Sequence, residues 1–272
     1  MSYAGIMVYV EADDTPDQRV RLAASLADKF AETLIGLSAL AIPPPVVADG
    51  MLMEGSSEVD IELMKAKLVE KGNWFRNIAG ADRRKVEWRF VLDFPNQALA
   101  REARSAGLIV IGRMKAQGGA YNSLDPGGAI LQMGRPTLVA AEQVSSLRAK
   151  HVLIGWKDTR EARRAVQDAL PFLREASRVT IVEACRRGEE KTALARLDDV
   201  VRYLMRHQIE CVAKALQQEG SGATQLIRIA QDEHADLLVT GAYGHSRLGE
   251  WIFGGMTRDL LAKSPICCLM SH

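Results

Sequence analysis

The sequence contains one internal repeat, which restricts the chain to a fold built from two similar units. Apolar runs that end in Gly112 and Gly241 match each other, and so do the runs that follow Pro136 and Pro265. Both pairs are 129 positions apart (241 − 112 and 265 − 136). Because chance similarity would not keep one register, we interpret the chain as a duplicated unit.

Each half alternates short apolar runs with amphipathic segments, which is the pattern of an α/β domain. The apolar runs lack strict alternation, as expected when helices cover both faces of a parallel sheet. An open parallel sheet with right-handed crossovers follows from this order in each half. We predict strands near 5–11, 33–40, 85–92, 107–112 and 136–140, and near 151–156, 178–184, 209–215, 236–241 and 265–270.

We place the two domains at residues 1–142 and 150–272, joined by a short polar linker. The first strands, at Ile6 and Val152, are offset by 146 positions (152 − 6), so the first half carries an insertion, mainly between its second and third strands. Residues 43–57 of this insertion are apolar and begin with three prolines. Such a loop could act as a lid or an oligomer contact, or it could pack back on its own helix.

The charge balance makes nucleic acid a poor partner. Lys plus Arg total 35 and Asp plus Glu 34, so the formal net charge is +1 and no basic field is available for a polyanion. No apolar run reaches the ~18–20 residues that cross a bilayer, so no membrane association is expected. The start of the chain lacks the basic region of a signal peptide, which predicts a cytoplasmic protein. No C-x-x-C pair or ligand cluster indicates a metal site, and the cysteines are expected to be buried free thiols.

The most informative motif follows the fourth strand of the second half. Ligands of open parallel sheets bind beyond the carboxyl ends of the strands, where the strand order switches. Here two residues separate Gly241 from Gly244, nine more precede Gly254, and a helix begins near Gly255. Glycine lets the backbone approach a ligand closely, and free amides at a helix start favour an anion. We therefore predict a phosphate site between the Gly241 turn and the first amides of that helix.

Three familiar motifs are excluded, and no catalytic residue is predicted. Glu250 and Trp251 replace the Lys and Ser/Thr of a Walker A loop. Leu248 replaces the closing glycine of a nucleophile elbow. The dinucleotide fingerprint G-x-G-x-x-G is absent after either first strand.

The spacing G-x2-G-x9-G after strand four resembles the universal stress protein family, in a tandem form that covers nearly the full chain. The resemblance implies two tandem flavodoxin-like or Rossmann-like α/β sandwiches, each with a five-stranded parallel sheet. Family members commonly bind ATP or AMP at this loop, pair through strand five and regulate stress tolerance rather than act as efficient enzymes. The implied ATP- or AMP-binding residues are Trp156, Lys157, Asp158, Ala184, Gly241, Gly244, His245, Gly254, Gly255 and Thr257.

Two departures from the family's pattern predict weak binding. Gly255 stands where Ser or Thr is usual, and Lys157 stands where an Asp near the ribose is common. Losing the hydroxyl costs about 0.5–1.5 kcal/mol and losing the charged acceptor about 1.5–3 kcal/mol. Since about 1.4 kcal/mol is tenfold, affinity is expected to fall by roughly one to three decades. The first half lacks the second glycine after Gly112, so we expect no phosphate cradle there.

The leading hypothesis is a tandem universal stress protein that regulates a stress response and binds ATP or AMP weakly in its C-terminal domain. The alternative is a ligand-free interaction module that dimerises through strand five and the apolar insertion. A slow ATP hydrolase ranks last, because no Lys–Ser/Thr pair is available to recruit Mg²⁺. We also expect the two domains to pair within the chain and the protein to form a homodimer, with strand five as a candidate edge.

Overall fold

A single large sheet runs through both halves of the chain. The computed structural model describes residues 2–43, 46–48, 51–53, 57–114, 122–244 and 255–272, with only the backbone described at 46–48 and 51–53. Its strands are β1 (Ile6–Tyr9), β2 (Leu34–Ala39), β3 (Val46–Ala48), β4 (Met51–Met53), β5 (Val86–Val91), β6 (Leu108–Ile111), β7 (Thr137–Val139), β8 (His151–Trp156), β9 (Arg178–Cys185), β10 (Val212–Gln217), β11 (Leu237–Gly241) and β12 (Cys267–Ser271). The large sheet has the order β10-β9-β8-β11-β12-β7-β6-β1-β2-β5.

The predicted fold class is confirmed. Each predicted strand is present within a few residues of its expected position, and each half has five parallel strands. When the strands are numbered within their own half, each half has the order 3-2-1-4-5, which is the order of the first five strands of the Rossmann fold. The order switches between β1 and β6 in the first half, and between β8 and β11 in the second.

The two halves meet through their last strands. β12 pairs with β7 in antiparallel register, with Leu269 opposite Leu138 and Met270 opposite Thr137. Because this pair is antiparallel, the carboxyl ends of the strands point to opposite ends of the sheet in the two halves. Strand five is therefore not an edge, which corrects that expectation. A homodimer stays a prediction and would have to use another surface.

Helices cover both faces of the sheet, and each face has a core that crosses from one half to the other. The helices are α1 (Asp17–Phe30), α2 (Glu58–Ala79), α3 (Pro95–Glu102), α4 (Pro126–Met133), α5 (Arg160–Asp168), α6 (Leu170–Leu173), α7 (Glu190–Arg206), α8 (Gly222–Asp232) and α9 (Gly255–Lys263), with a 3-10 turn at Ala103–Ser105. The first face carries α1, α2, α5, α6 and α7. The second face carries α3, α4, α8 and α9.

The insertion of the first half contains a separate hairpin. β3 and β4 pair antiparallel outside the large sheet, with Val46 opposite Met53. Ser57 then caps α2 by accepting a hydrogen bond from the Asp60 amide. Residues 44–45, 49–50 and 54–56 lie outside the described residues, and the roles expected for this insertion stay predictions.

Within the described part of the chain, no helix combines the length and apolar character needed to cross a membrane. The same residues hold no group of three His, Cys, Asp or Glu side chains suited to a metal ion. The cysteines are free thiols, and three of the four are buried. Burial raises the pKa of the Cys268 thiol to about 12, which keeps it protonated at neutral pH.

Candidate functional site

The second half has a cleft of about 380 Å³ where its strand order switches. The carboxyl ends of β8, β9 and β11 form its floor, and the first turns of α8 and α9 close its sides. Its volume suits a small organic ligand. The cleft therefore lies where an open parallel sheet binds ligands.

Seven of the ten predicted site residues line this cleft. They are Trp156, Lys157, Ala184, Gly241, Gly244, Gly255 and Thr257. His245 and Gly254 lie outside the described residues, as does Trp251. Asp158 borders a neighbouring cleft instead, and its carboxylate accepts a 2.5 Å hydrogen bond from Arg163.

Trp156 ends β8 beside both clefts, but its side chain belongs to the core of the first sheet face. It is 9% exposed and shares that core with Val166 of α5 and Val200 of α7. The cleft of about 380 Å³ uses the opposite face, where Val182 and Leu226 lie. An adenine ring in this cleft would therefore meet aliphatic side chains rather than the indole.

Several lining residues were not predicted from the sequence. They are Gly155, Thr159, Ala162, Val182, Gln218, Gly222, Leu226, Thr240, Tyr243 and Met256. Val182 was within reach of sequence reasoning, because the period of two along β9 places it on the same face as Ala184. The start of α8 carried no such signal, since its position over the cleft depends on how the helix packs.

Gly241 is required by the close packing of α5 on β11. A Cβ atom at this position would lie 2.6 Å from the Ala162 nitrogen and 2.7 Å from the Glu161 carbonyl carbon. Both neighbours are backbone atoms of the first turn of α5, which Thr159 caps by accepting a hydrogen bond from the Ala162 amide. The glycine thus brings a helix start next to the strand end.

The loop after β11 is attached to α9 by a hydrogen bond from a backbone amide to a side-chain hydroxyl. Tyr243 has a positive φ of 59°, and its amide donates to the Thr257 hydroxyl at 3.2 Å. Thr257 is 6% exposed, so the side chain expected to bind phosphate also supports the protein's own loop. By contrast, a Cβ at Gly255 would meet no atom of the described residues within 4 Å.

Two charged side chains, Lys157 and Glu161, restrict where a ligand's negative charge could lie in the cleft. Lys157 is the one charged side chain among the described lining residues. Glu161 is buried beneath the Gly244 turn, where its carboxylate would be 3.1 Å from a Cβ at Gly244. Burial raises the pKa of Glu161, but hydrogen bonds with Arg160 and Thr159 outweigh that effect and lower it. A ligand's negative charge would therefore have to stay near Lys157 and the backbone amides, away from this carboxylate.

In the first half, the protein's own charged side chains occupy the corresponding positions. The Asp125 carboxylate accepts hydrogen bonds from the Gly127 and Gly128 amides at 3.1 and 3.0 Å, which caps α4. The Arg19 guanidinium lies against Gly112 and is 6% exposed. It pairs with Glu11 at 2.5 Å. The amides of α4 that could hold a phosphate are thus already bound to a carboxylate.

Comparison with known proteins agrees with this arrangement. The Universal stress protein family model matches residues 148–272. A universal stress protein from Archaeoglobus fulgidus DSM 4304 superposes with a TM-score of 0.75 at 16% identity, covering 98% of this chain and 95% of that one. A putative universal stress protein from Pseudomonas aeruginosa UCBPP-PA14 gives a TM-score of 0.63 at 15% identity, covering 98% and 92%. Comparison with curated proteins gives no match. At these identities the two structures establish a shared fold.

Proposed function

We propose that the chain is a tandem universal stress protein that regulates a stress response and binds ATP or AMP weakly in the cleft of its second half. The match of residues 148–272 to the Universal stress protein family model supports this proposal. The observation that carries the proposal is the cleft at the β8–β11 switch, which combines an apolar wall, glycine-lined turns and one lysine.

The parts of the cleft match the parts of a nucleotide. Val182, Ala184 and Leu226 provide an apolar surface for the base. The turn from Gly241 and the first amides of α9 would hold the phosphates, because unpaired amides at a helix start attract anions. Lys157 adds a single positive charge in place of an acceptor for ribose hydroxyls. We propose weak affinity because this lysine cannot accept hydrogen bonds from the ribose hydroxyls.

The central test compares Gly244→Asp with Gly244→Asn in calorimetric titrations with ATP and AMP. The two side chains have the same shape, but aspartate adds a negative charge beside Glu161 and the phosphate position. We expect Gly244→Asp to weaken binding by at least about tenfold relative to Gly244→Asn, which is about 1.4 kcal/mol. The proposal fails if the unaltered protein shows neither heat nor a thermal shift at millimolar nucleotide.

Gly255→Ser is expected to strengthen nucleotide binding. No atom of the described residues lies within 4 Å of a Cβ at this position, so the new hydroxyl has room to supply one further hydrogen bond to phosphate. A net gain of about 0.5–1.5 kcal/mol corresponds to roughly a two- to twelvefold lower Kd. Gly255→Ala is the matched control, because it adds the carbon without the hydroxyl. Equal affinities for the two variants would contradict a phosphate position at this turn.

A ligand-free role is proposed for the first half. In the first half, Asp125 occupies the amides at the start of α4, and Arg19 occupies the space beside Gly112. A titration should therefore give one nucleotide per chain. A stoichiometry of two would contradict this part of the proposal.

A further inference from the structure

Tyr243 lines the nucleotide cleft of the second half and also touches the first half. A Cβ added at Gly127, in the first turn of α4, would overlap the Tyr243 hydroxyl. Gly127 is buried, so the tyrosine fills the space that a side chain would need. One residue therefore joins the cleft in one half to a helix start in the other.

The first-half side of this contact is held rigidly. Asp125 caps α4, and its backbone amide and carbonyl are both bonded to the Asn96 side chain at 2.9 Å. Burial and the nearby Asp125 charge raise the pKa of Tyr243 to about 12, which agrees with a phenol held neutral beside this carboxylate. The helix start against which Tyr243 packs is thus fixed by two independent side chains.

The second-half side connects Tyr243 to the helix that borders the phosphate position. The Tyr243 amide donates to Thr257 in the first turn of α9. The first half also contacts α9 directly, because the Met114 amide donates to the Leu261 carbonyl at 3.0 Å. Arg113 in turn donates to the Ser264 carbonyl, just beyond α9, at 3.3 Å. The first half therefore braces both the loop after β11 and α9.

We propose that the first half shapes the nucleotide cleft of the second half without any of its described residues lining it, because α4 at Gly127 sets the position of Tyr243 and, through it, of the first turn of α9. Tyr243 acts as a positioning residue. The inference rests on the proposed function for its ligand, but its structural part is testable without one. Because coupling between sites is reciprocal, bound nucleotide would also stabilise the contact between the halves.

The test uses the full chain with Gly127→Ala, Tyr243→Ala and the double variant, and with Gln132→Ala as the control on an exposed position of α4. The probe is AMP, measured by calorimetry. We expect Gly127→Ala and Tyr243→Ala each to weaken AMP binding by about tenfold, within the range typical of coupled sites. The double variant should be no weaker than Tyr243→Ala alone, because both changes act through one side chain. Gln132→Ala should bind AMP as the unaltered chain does.

A second readout needs no ligand. Hydrogen exchange at the Tyr243 amide should become faster in Gly127→Ala than in Gln132→Ala, since displacing the ring loosens the bond to Thr257. If Gly127→Ala folds poorly, Tyr243→Ala still tests the effect on AMP, since it leaves α4 intact. Unchanged exchange in Gly127→Ala, or additive losses in the double variant, would overturn the inference. Absence of AMP binding in the unaltered chain would instead overturn the proposed function. The hydrogen-exchange result would still show whether Gly127 sets the position of Tyr243.

Discussion

Replacing Gly241 with alanine is expected to lower the free energy of unfolding by about 2–3 kcal/mol, near the upper part of the usual range for overpacking. The added methyl would press on the Ala162 nitrogen and the Glu161 carbonyl carbon, at 2.6 and 2.7 Å. Backbone atoms of a capped helix turn cannot move independently, so α5 must shift as a unit away from β11. For a chain of this size the melting temperature should fall by about 4–12 °C.

Gly255→Ala is the matched comparison for this prediction. It adds the same methyl group at the rim of the same cleft, but at a point where no described residue lies within 4 Å. Its melting temperature should therefore stay within about 1–2 °C of the original, the shift that ~0.5 kcal/mol produces. Urea unfolding of both variants gives the free energies directly. Equal stabilities for the two variants would show that the packing of α5 on β11 does not require a glycine at position 241.

Replacing Arg19 with methionine is expected to cost about 3 kcal/mol, the lower end of the range for breaking a buried ion pair. Arg19 donates to Glu11 at 2.5 Å and to the Tyr9 carbonyl at 3.2 Å. Without it, Glu11 keeps a bond from Thr15 but remains a carboxylate with 18% of its side chain exposed. We expect the loss of stability, measured by urea unfolding, to come from the unpaired Glu11 carboxylate and not from the smaller volume of the methionine side chain.

Two further variants identify the cause of that loss. Adding Glu11→Gln to Arg19→Met removes the unpaired charge, so the double variant should recover most of the stability. Arg21→Met breaks a pair with Asp17 in which both side chains are about half exposed, and it should change stability by no more than about 0.5 kcal/mol. A double variant as unstable as Arg19→Met alone would mean that the charge is not responsible.

Local patterns were sufficient to predict the strands and the side of the sheet that carries the cleft. Apolar runs bounded by polar turns indicated strands that are buried on both faces of the sheet. The glycine spacing after β11 indicated a place where another part of the backbone comes close to the strand end. Thr159 was recognisable as a helix start from its position before an amphipathic repeat, and it does cap α5. These features depend on neighbours a few residues apart, which is why the sequence reveals them.

Contacts between distant parts of the chain were beyond such reasoning. Asp158 and Lys157 are adjacent in sequence, yet Lys157 lines the cleft at the β8–β11 switch and Asp158 pairs with Arg163 beside the neighbouring cleft. The capping of α4 by Asp125 also required the structure, because an Asp-Pro-Gly-Gly segment is equally typical of a flexible turn. Nothing in the local pattern shows which partner a charged side chain will find.

The sequence by itself determined that the chain is two α/β units of one design and that only the second keeps most of a glycine loop. The tertiary structure decided how the units combine: β7 and β12 pair antiparallel, strand five is interior, and Tyr243 of the second half packs against Gly127 of the first. The physical reason is that periodicity and spacing report local burial and backbone freedom. The pairing of two strand edges, and the contact of a loop with a distant helix, depend on surfaces that exist only after each unit has folded.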